Sequence, residues 1–360
     1  MKKFLTRKGI LVLLLSFILF LAACGSTEET TKEEPAAEDN TEQTDEGNEE
    51  AITEGETEEE GSGEAGDKLV IGFSQVGAES EWRTANTKSI QDAIKEAGHE
   101  LKFSDGQQKQ ENQIKAIRSF ITQKVDAIVF SPVVETGFET VMQEAKDAGI
   151  PIFLADRAVD AEDDSLWVTF LGSDFVEEGR KAGQWLIDEM ADQEGPINIV
   201  ELQGTVGSAP AIDRKEGFEE IIGSDDKFEI IKSQTGDFTR AKGKEVMEAF
   251  LKSDGGENID VLYAHNDDMA IGAIQAIEEY GLKPAEDITI IGVDAVKGAF
   301  EAMADGKMNV TIECNPLFGP QLVDLIEQHF AGVELEKRIA VEESMYTMDQ
   351  AAELLPTREY

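Results

Sequence analysis

From Lys68 onward the chain alternates short apolar runs with segments of helical period. The runs are LVIGF (69–73), ELKF (100–103), AIVF (127–130), PIFLA (151–155), WVTFL (167–171), INIVEL (197–202), FEIIK (228–232), DVLYA (260–264), ITIIGV (288–293) and NVTI (309–312). Helical patterns fill most of the gaps, for example TANTKSIQDAIKEAG, ending at Gly98, and GRKAGQWLIDEM, ending at Met190. Strand–helix alternation at this spacing predicts an α/β fold of parallel sheets with helices on both faces. Ten runs are more than one open sheet normally holds. Two similar doubly wound lobes of roughly five strands each fit better, the second set beginning near Asn198.

Nearly every run ends in a hydrogen-bonding group: Ser74 and Gln75, Ser104 and Asp105, Ser131, Asp156 and Arg157, Ser173 and Asp174, Gln203, Gln234, Asn266 and Asp267, Asp294. In a doubly wound fold these project from the carboxyl edge of the sheet, where ligands bind. Two such edges facing each other would line a cleft with amides, carboxylates and guanidinium groups. That chemistry suits a ligand rich in hydroxyls, each of which donates to a carboxylate and accepts from Arg or Asn, with an aromatic ring over the C–H face. Taken singly, an Asp or Asn at a strand end is more often a helix cap or turn former than a ligand contact. The stretch YAHNDDMAIGAIQAI (263–277) admits both, and we expect Asn266 to face the ligand while Asp267 or Asp268 caps the helix. Trp185, inside an amphipathic helix, reads as core. Trp82 stands beside Arg83 after the polar loop Gly77–Glu81, where a helix should begin at the carboxyl edge.

The first 67 residues belong to neither lobe. Lys2, Lys3, Arg7 and Lys8 precede an apolar stretch from Ile10 to Ala22, the layout of a secretory signal, and Leu21-Ala22-Ala23-Cys24 resembles a bacterial lipobox with Cys24 as the lipidated residue. From Gly25 to Asp67 there are 18 acidic residues, one lysine and no aromatic residue. Such a segment buries too little to offset its ordering entropy and reads as a disordered tether. The formal charge of −43 divides into +4 in the signal, −17 in the tether and −30 in residues 68–360. A chain this acidic repels nucleic acid and anionic lipid, so neither is an expected partner. If Cys24 is acylated, Cys314 has no partner for a disulfide, and His99, His265 and His329 show no metal-ligand spacing.

VIGFSQVGAESEWR, FSDGQQKQENQIKAIRSFITQKVDAIVFSPV, IPIFLADR, IVELQGTVGSAPAIDRKEGF, GDFTRAKGKEVM, YAHNDDMAIGAIQAI and IIGVDA, seven blocks in order across residues 68 to 350, together resemble the type I periplasmic sugar-binding proteins of the ribose- and galactose-binding family. The Gln-rich DGQQKQENQIKAIRSF block and the VGAESEWR loop resemble the galactofuranose-binding members most. The resemblance implies two doubly wound lobes joined by three crossings, closing on one sugar for delivery to an ABC permease. With the lipoprotein signal over 1–23 and the tether over 24–67 read above, it implies an N-terminal lobe of 68–173 plus 315–343 and a C-terminal lobe of 174–314 plus 344–360. It puts ligand contacts on Asp156, Arg157, Arg214, Phe238, Asn266 and Asp294, with Trp82 and Arg83 forming the wall of the first loop. Where ribose binders end the tenth run with a sugar-bonding glutamine, this chain has Cys314, which favours a furanose such as galactofuranose over ribose.

No G-x-S-x-G, Walker loop or Cys–His pair near the predicted cleft suggests an enzyme. With 75 carboxylates in the chain, acidic pairs carry no information about glycosidase chemistry. A sugar-responsive repressor needs a basic helix-turn-helix where this chain has a signal and an acidic tether. The expectation is a monomeric binding protein without cofactor or metal. Its partners would be a monosaccharide, permease subunits and, through the lipid anchor only, the outer face of a bacterial cell membrane of the Gram-positive kind. The alternative is a sugar-sensing partner of a membrane histidine kinase or chemoreceptor. The crossings are expected near Gly172 to Asp174, Cys314 to Pro316 and Glu342 to Ser344, with Gly172 absorbing backbone change.

Overall fold

The computed structural model describes residues 68–360; the expected signal, lipidated Cys24 and tether lie outside them. All ten apolar runs are strands, with ends no more than three residues from those expected. The first five are β1 (Val70–Gln75), β2 (Glu100–Asp105), β3 (Ala127–Phe130), β4 (Ile152–Ala155) and β5 (Thr169–Gly172), and the second five are β6 (Ile197–Gln203), β7 (Phe228–Thr235), β8 (Val261–Ala264), β9 (Thr289–Asp294) and β10 (Val310–Glu313). Two short strands were not foreseen, β11 (Arg338–Ala340) and β12 (Met345–Thr347). Each sheet therefore has six strands rather than five, in the orders β11-β5-β4-β3-β1-β2 and β12-β10-β9-β8-β6-β7. Every pairing is parallel except that of β12 with β10. The inner strands β3, β4, β8 and β10 are buried at every position, as expected of parallel strands covered by helices on both faces.

The helices are α1 (Glu81–Glu96), α2 (Gln110–Gln123), α3 (Glu139–Asp147), α4 (Phe175–Glu189), α5 (Ala209–Ile222), α6 (Arg240–Asp254), α7 (Asp267–Tyr280), α8 (Lys297–Ala304), α9 (Gly319–Phe330) and α10 (Met348–Leu354). Helix α1 starts two residues before Arg83, because the Ser80 side chain accepts from the Arg83 backbone N–H and caps the helix there. Helix α4 follows a first-sheet strand but packs on α5, and α9 follows a second-sheet strand but packs on α1. The chain thus passes between the two halves after β5, after β10 and between β11 and β12. Trp185 on α4 is half-buried, packed against the core rather than enclosed in it.

One helix contact sets up the site. Gly179 on α4 and Gly217 on α5 let the two backbones touch: a Cβ on Gly217 would lie 2.0 Å from the Val176 carbonyl oxygen, and one on Gly179 would lie 2.3 Å from that of Arg214. This approach carries Glu178 to the Arg214 side chain. Gly172 has a similar role, since a Cβ there would lie 2.6 Å from the Asp156 carbonyl oxygen. Its φ is not in the left-handed region, so close approach, and not unusual backbone freedom, is what requires glycine at this crossing.

Candidate functional site

Between the carboxyl ends of the two sheets lies a small cavity of about 20 Å³. All eight residues expected to bind ligand line it: Trp82 and Arg83 from α1, Asp156 and Arg157 after β4, Arg214 from α5, Phe238 before α6, Asn266 after β8 and Asp294 at the end of β9. Every one of them is buried. Glu79, Phe175 and Cys314 complete the wall with Ser80 and Pro210. A larger groove of about 940 Å³ runs along α1 to Tyr360 and adjoins this space at Glu79 and Ser80. Of the two, the small cavity holds the converging buried charges, and we take it as the site.

The first-sheet side is an ion-pair cluster. Arg83 Nε donates to Glu79 Oε1 at 3.0 Å, its second terminal nitrogen lies 2.7 Å from Asp156 Oδ2, and its other terminal nitrogen donates to Gln75 Oε1 at 3.2 Å. Burial works against the Arg83 charge, but Asp156 and Glu79 outweigh it and hold the guanidinium more firmly protonated than usual. Arg157 is less well paired, with Glu79 at 3.8 Å and Asp156 at 3.6 Å. Burial, then the neighbouring Arg83, pull its pKa down to about 10. Glu79 Oε2 and Arg157 Nε are buried without a hydrogen-bond partner, so an acceptor and a donor remain for a ligand.

The second-sheet side is built on Arg214. Its Nε donates to Glu178 Oε2 at 2.7 Å, one terminal nitrogen donates to the His265 carbonyl at 2.5 Å, and the other lies 3.6 Å from Asp294 Oδ1. Burial pushes the Asp294 carboxyl well up; Arg214 opposes this and Asp267 adds to it. Three lining residues, Asp156, Phe238 and Asp294, have left-handed backbone, with φ of 68°, 60° and 122°. Such conformations are unfavourable for side chains other than glycine and concentrate at functional sites. The Phe238 ring sits where a Cβ on Gly204 would be, 1.9 Å from Cζ.

The stretch from Asn266 corrects the expected division of labour. Asn266 is itself the cap of α7: its Oδ1 accepts from the Met269 N–H at 3.0 Å, and its Nδ2 donates to the Phe238 carbonyl at 3.2 Å. Asp267 instead accepts from Thr311 Oγ1 and the Val296 N–H, tying α7 to the end of β9. Asp268 accepts from the Glu81 N–H at 2.8 Å and pairs with Arg240 at 2.9 Å. Arg240 also reaches Glu81 at 2.9 Å, and the Glu135 N–H donates to the Gly207 carbonyl at 2.9 Å. These contacts join the two halves on either side of the cavity.

Glu79 and Phe175 escaped the sequence reading. Glu79 lies in the quoted VGAESEWR loop, four residues before Arg83, and that spacing was its only signal. Phe175 looks like the first apolar residue of α4, yet the Arg214 guanidinium lies 5.1 Å over its ring. Other strand-end polar groups, Ser104, Asp105, Gln203 and Gln234, stay outside the cavity wall. Gln75 acts behind it, through Arg83.

Comparison with known proteins shows the family. The periplasmic binding protein domain matches residues 71–332. The galactofuranose-binding protein YtfQ of Escherichia coli is 50% identical over 289 residues, covering 80% of this chain and 90% of that protein. A Mycobacterium smegmatis protein solved in complex with β-D-fucofuranose is 55% identical, with a TM-score of 0.79 over 81% of this chain and 95% of that one. The binding component of the arabinose ABC transporter of Shewanella sp. ANA-3, solved with α- and β-L-arabinofuranose, is 50% identical, with a TM-score of 0.78 over the same shares. The chain belongs to the periplasmic binding protein family and has its type I fold.

Proposed function

We propose that this chain is the extracytoplasmic substrate-binding protein of a sugar ABC transporter, and that it binds galactofuranose or a similar furanose between its two lobes. The observation that carries the reading is the convergence of three guanidinium groups, Arg83, Arg157 and Arg214, with the carboxyl groups of Glu79, Asp156 and Asp294 and three aromatic rings in one buried cavity. Vicinal hydroxyls are matched by this alternation of donors and acceptors, and the rings of Trp82, Phe175 and Phe238, each with an arginine over one face, bring apolar surface to the same wall for the C–H groups. The relatives that bind furanoses support the ring form. Contacts drawn from both halves are complete only when the halves are together, so sugar favours the closed arrangement and occupancy is signalled to a permease by shape. The lobes are 68–173 plus 315–343 and 174–314 plus 344–360. The chain acts as a monomer, without catalysis, held at the outer face of the membrane by lipid on Cys24.

A thermal-shift panel of pentoses, hexoses and furanose-locked glycosides tests the ligand class. At a hundredfold excess over Kd a ligand stabilises by about 2.7 kcal/mol, enough for a rise of roughly 5 °C or more. Galactose-, fucose- or arabinose-type furanosides should produce it. A panel in which no sugar shifts the transition defeats the reading. For the anchor, Cys24→Ala should release the protein from the membrane fraction or leave it unprocessed, and normal cleavage with unchanged retention would refute lipidation.

A further inference from the structure

All three passages between the halves meet at one polar cluster behind the cavity. Ser173 from the first donates to Glu343 Oε1 from the third, and its hydroxyl lies 3.2 Å from the Sγ of Cys314 on the second. The Asn315 N–H also donates to Glu343 Oε1, at 3.0 Å. Glu178 faces this group from α4. Its Oε2 is taken by Arg214, while its Oε1 is buried without a donor. Ligand atoms of Glu178, Cys314 and Glu343 lie within 4.8 Å of one another. An ionised carboxylate only accepts hydrogen bonds, and two of them at this distance repel, so one proton held by the pair removes the repulsion. A cation is the poorer occupant, because Glu343 Oε1 and Glu178 Oε2 are already engaged and the Arg214 guanidinium adjoins the cluster.

We propose that Glu178 and Glu343 share one proton in the closed arrangement, and that closing on a sugar therefore takes a proton from solvent. The inference rests on the sugar-binding reading and extends it, because Glu178 also holds Arg214 in the cavity wall. Burial, followed by the charge of Glu178, pushes Glu343 up to about 9, and burial raises Glu178 against the pull of Arg214. The other charged and titratable groups around the pair are the Cys314 thiol after β10, which burial and the two carboxyls push well up, Asp174 and Lys181 on the α4 side, Asp213 and Arg214 on α5, Asp294 at the end of β9 and Arg338 on β11. Asp213, raised to about 6 by burial and by Glu216, titrates below the pair and so separates from it in a pH series. A pair whose proton is held more tightly when closed loses sugar affinity as pH rises through its pKa.

The test is calorimetric titration of the full chain with L-arabinose at pH 8 in two buffers of different ionisation enthalpy, repeated from pH 6 to 9, below the range in which Arg157 loses its charge. The wild type should take up a measurable fraction of a proton per sugar and bind at least several-fold more weakly at pH 9 than at pH 7. Glu343→Gln, which keeps the shape with a permanently neutral group, should lose the uptake and the alkaline weakening. Buffer-independent heats with flat affinity in the wild type, or uptake unchanged in Glu343→Gln, would overturn the proposal. If L-arabinose does not bind, the two-buffer titration is repeated with the furanoside that raises the melting temperature. Binding of that furanoside with no proton uptake overturns the shared proton and leaves the functional reading standing, and the absence of any binding furanoside overturns both.

Discussion

Arg157 and Phe238 meet across the cavity, with the guanidinium carbon 5.3 Å from the ring centroid. One follows β4 of the first sheet and the other lies between β7 and α6 of the second. The contact joins the two halves. The pair therefore reports closure as well as composition: a cation over an aromatic face fixes both side chains at the edge of the space where a sugar ring would lie.

The charged groups should carry most of the binding energy. Removing one partner of a buried charge-assisted hydrogen bond costs about 2 to 5 kcal/mol, so Asp156→Ala and Arg214→Ala should each weaken binding by roughly 30-fold or more. Titration of variants whose circular dichroism matches the wild type measures this. Native affinity in both would put the site elsewhere.

Gly204 sets the position of the Phe238 ring. With Cζ 1.9 Å from the place of an added Cβ, Gly204→Ala forces the ring out, although Phe238 is fixed by its left-handed backbone. Overpacking of this kind costs roughly 1 to 3 kcal/mol. Urea unfolding should show that loss, and sugar affinity should fall with it; an unchanged midpoint and affinity would mean the ring has a second place to go.

Acid stability should depend on a pair behind the cavity. Burial alone would raise the Glu201 carboxyl, but hydrogen bonds from His265, Ser233 and Gln203 bring it down to about 2. A depressed carboxylate stabilises the fold fully above its ordinary pKa of 4.5, and that contribution is lost as pH falls towards 2. The displacement corresponds to a stabilisation on the order of 3 kcal/mol. Glu201→Gln should lower stability at pH 6 and flatten its decline between pH 4.5 and 2. An acid unfolding profile identical to wild type would contradict this.

The lobes were legible because parallel strands are continuous apolar runs, and β3 or β8 could hardly be anything else. The edge strands β11 and β12 were not, because three residues with exposed or half-buried side chains leave no periodicity to read. The charged site residues stood at strand ends, where an arginine or carboxylate needs a reason, and the family resemblance gave them one. Glu79 stayed hidden because an acid among 75 is unremarkable until the structure shows it buried against two arginines. Asn266 lines the cavity and also caps α7, where the cap is expected of Asp267 or Asp268; residue type alone cannot order three adjacent capping residues. The observed extended backbone at Asn266 is what makes it the cap.

A crystal structure of the chain with a bound furanose tests the central claim most directly. The account predicts one sugar between the two halves, with the walls of the present cavity of about 20 Å³ moved apart to admit it, and with its oxygens within hydrogen-bond reach of Asp156 and Arg157 from one half and of Arg214, Asn266 or Asp294 from the other. A sugar held by one half alone, or lodged in the groove along α1 while the cavity keeps its present walls, would contradict it.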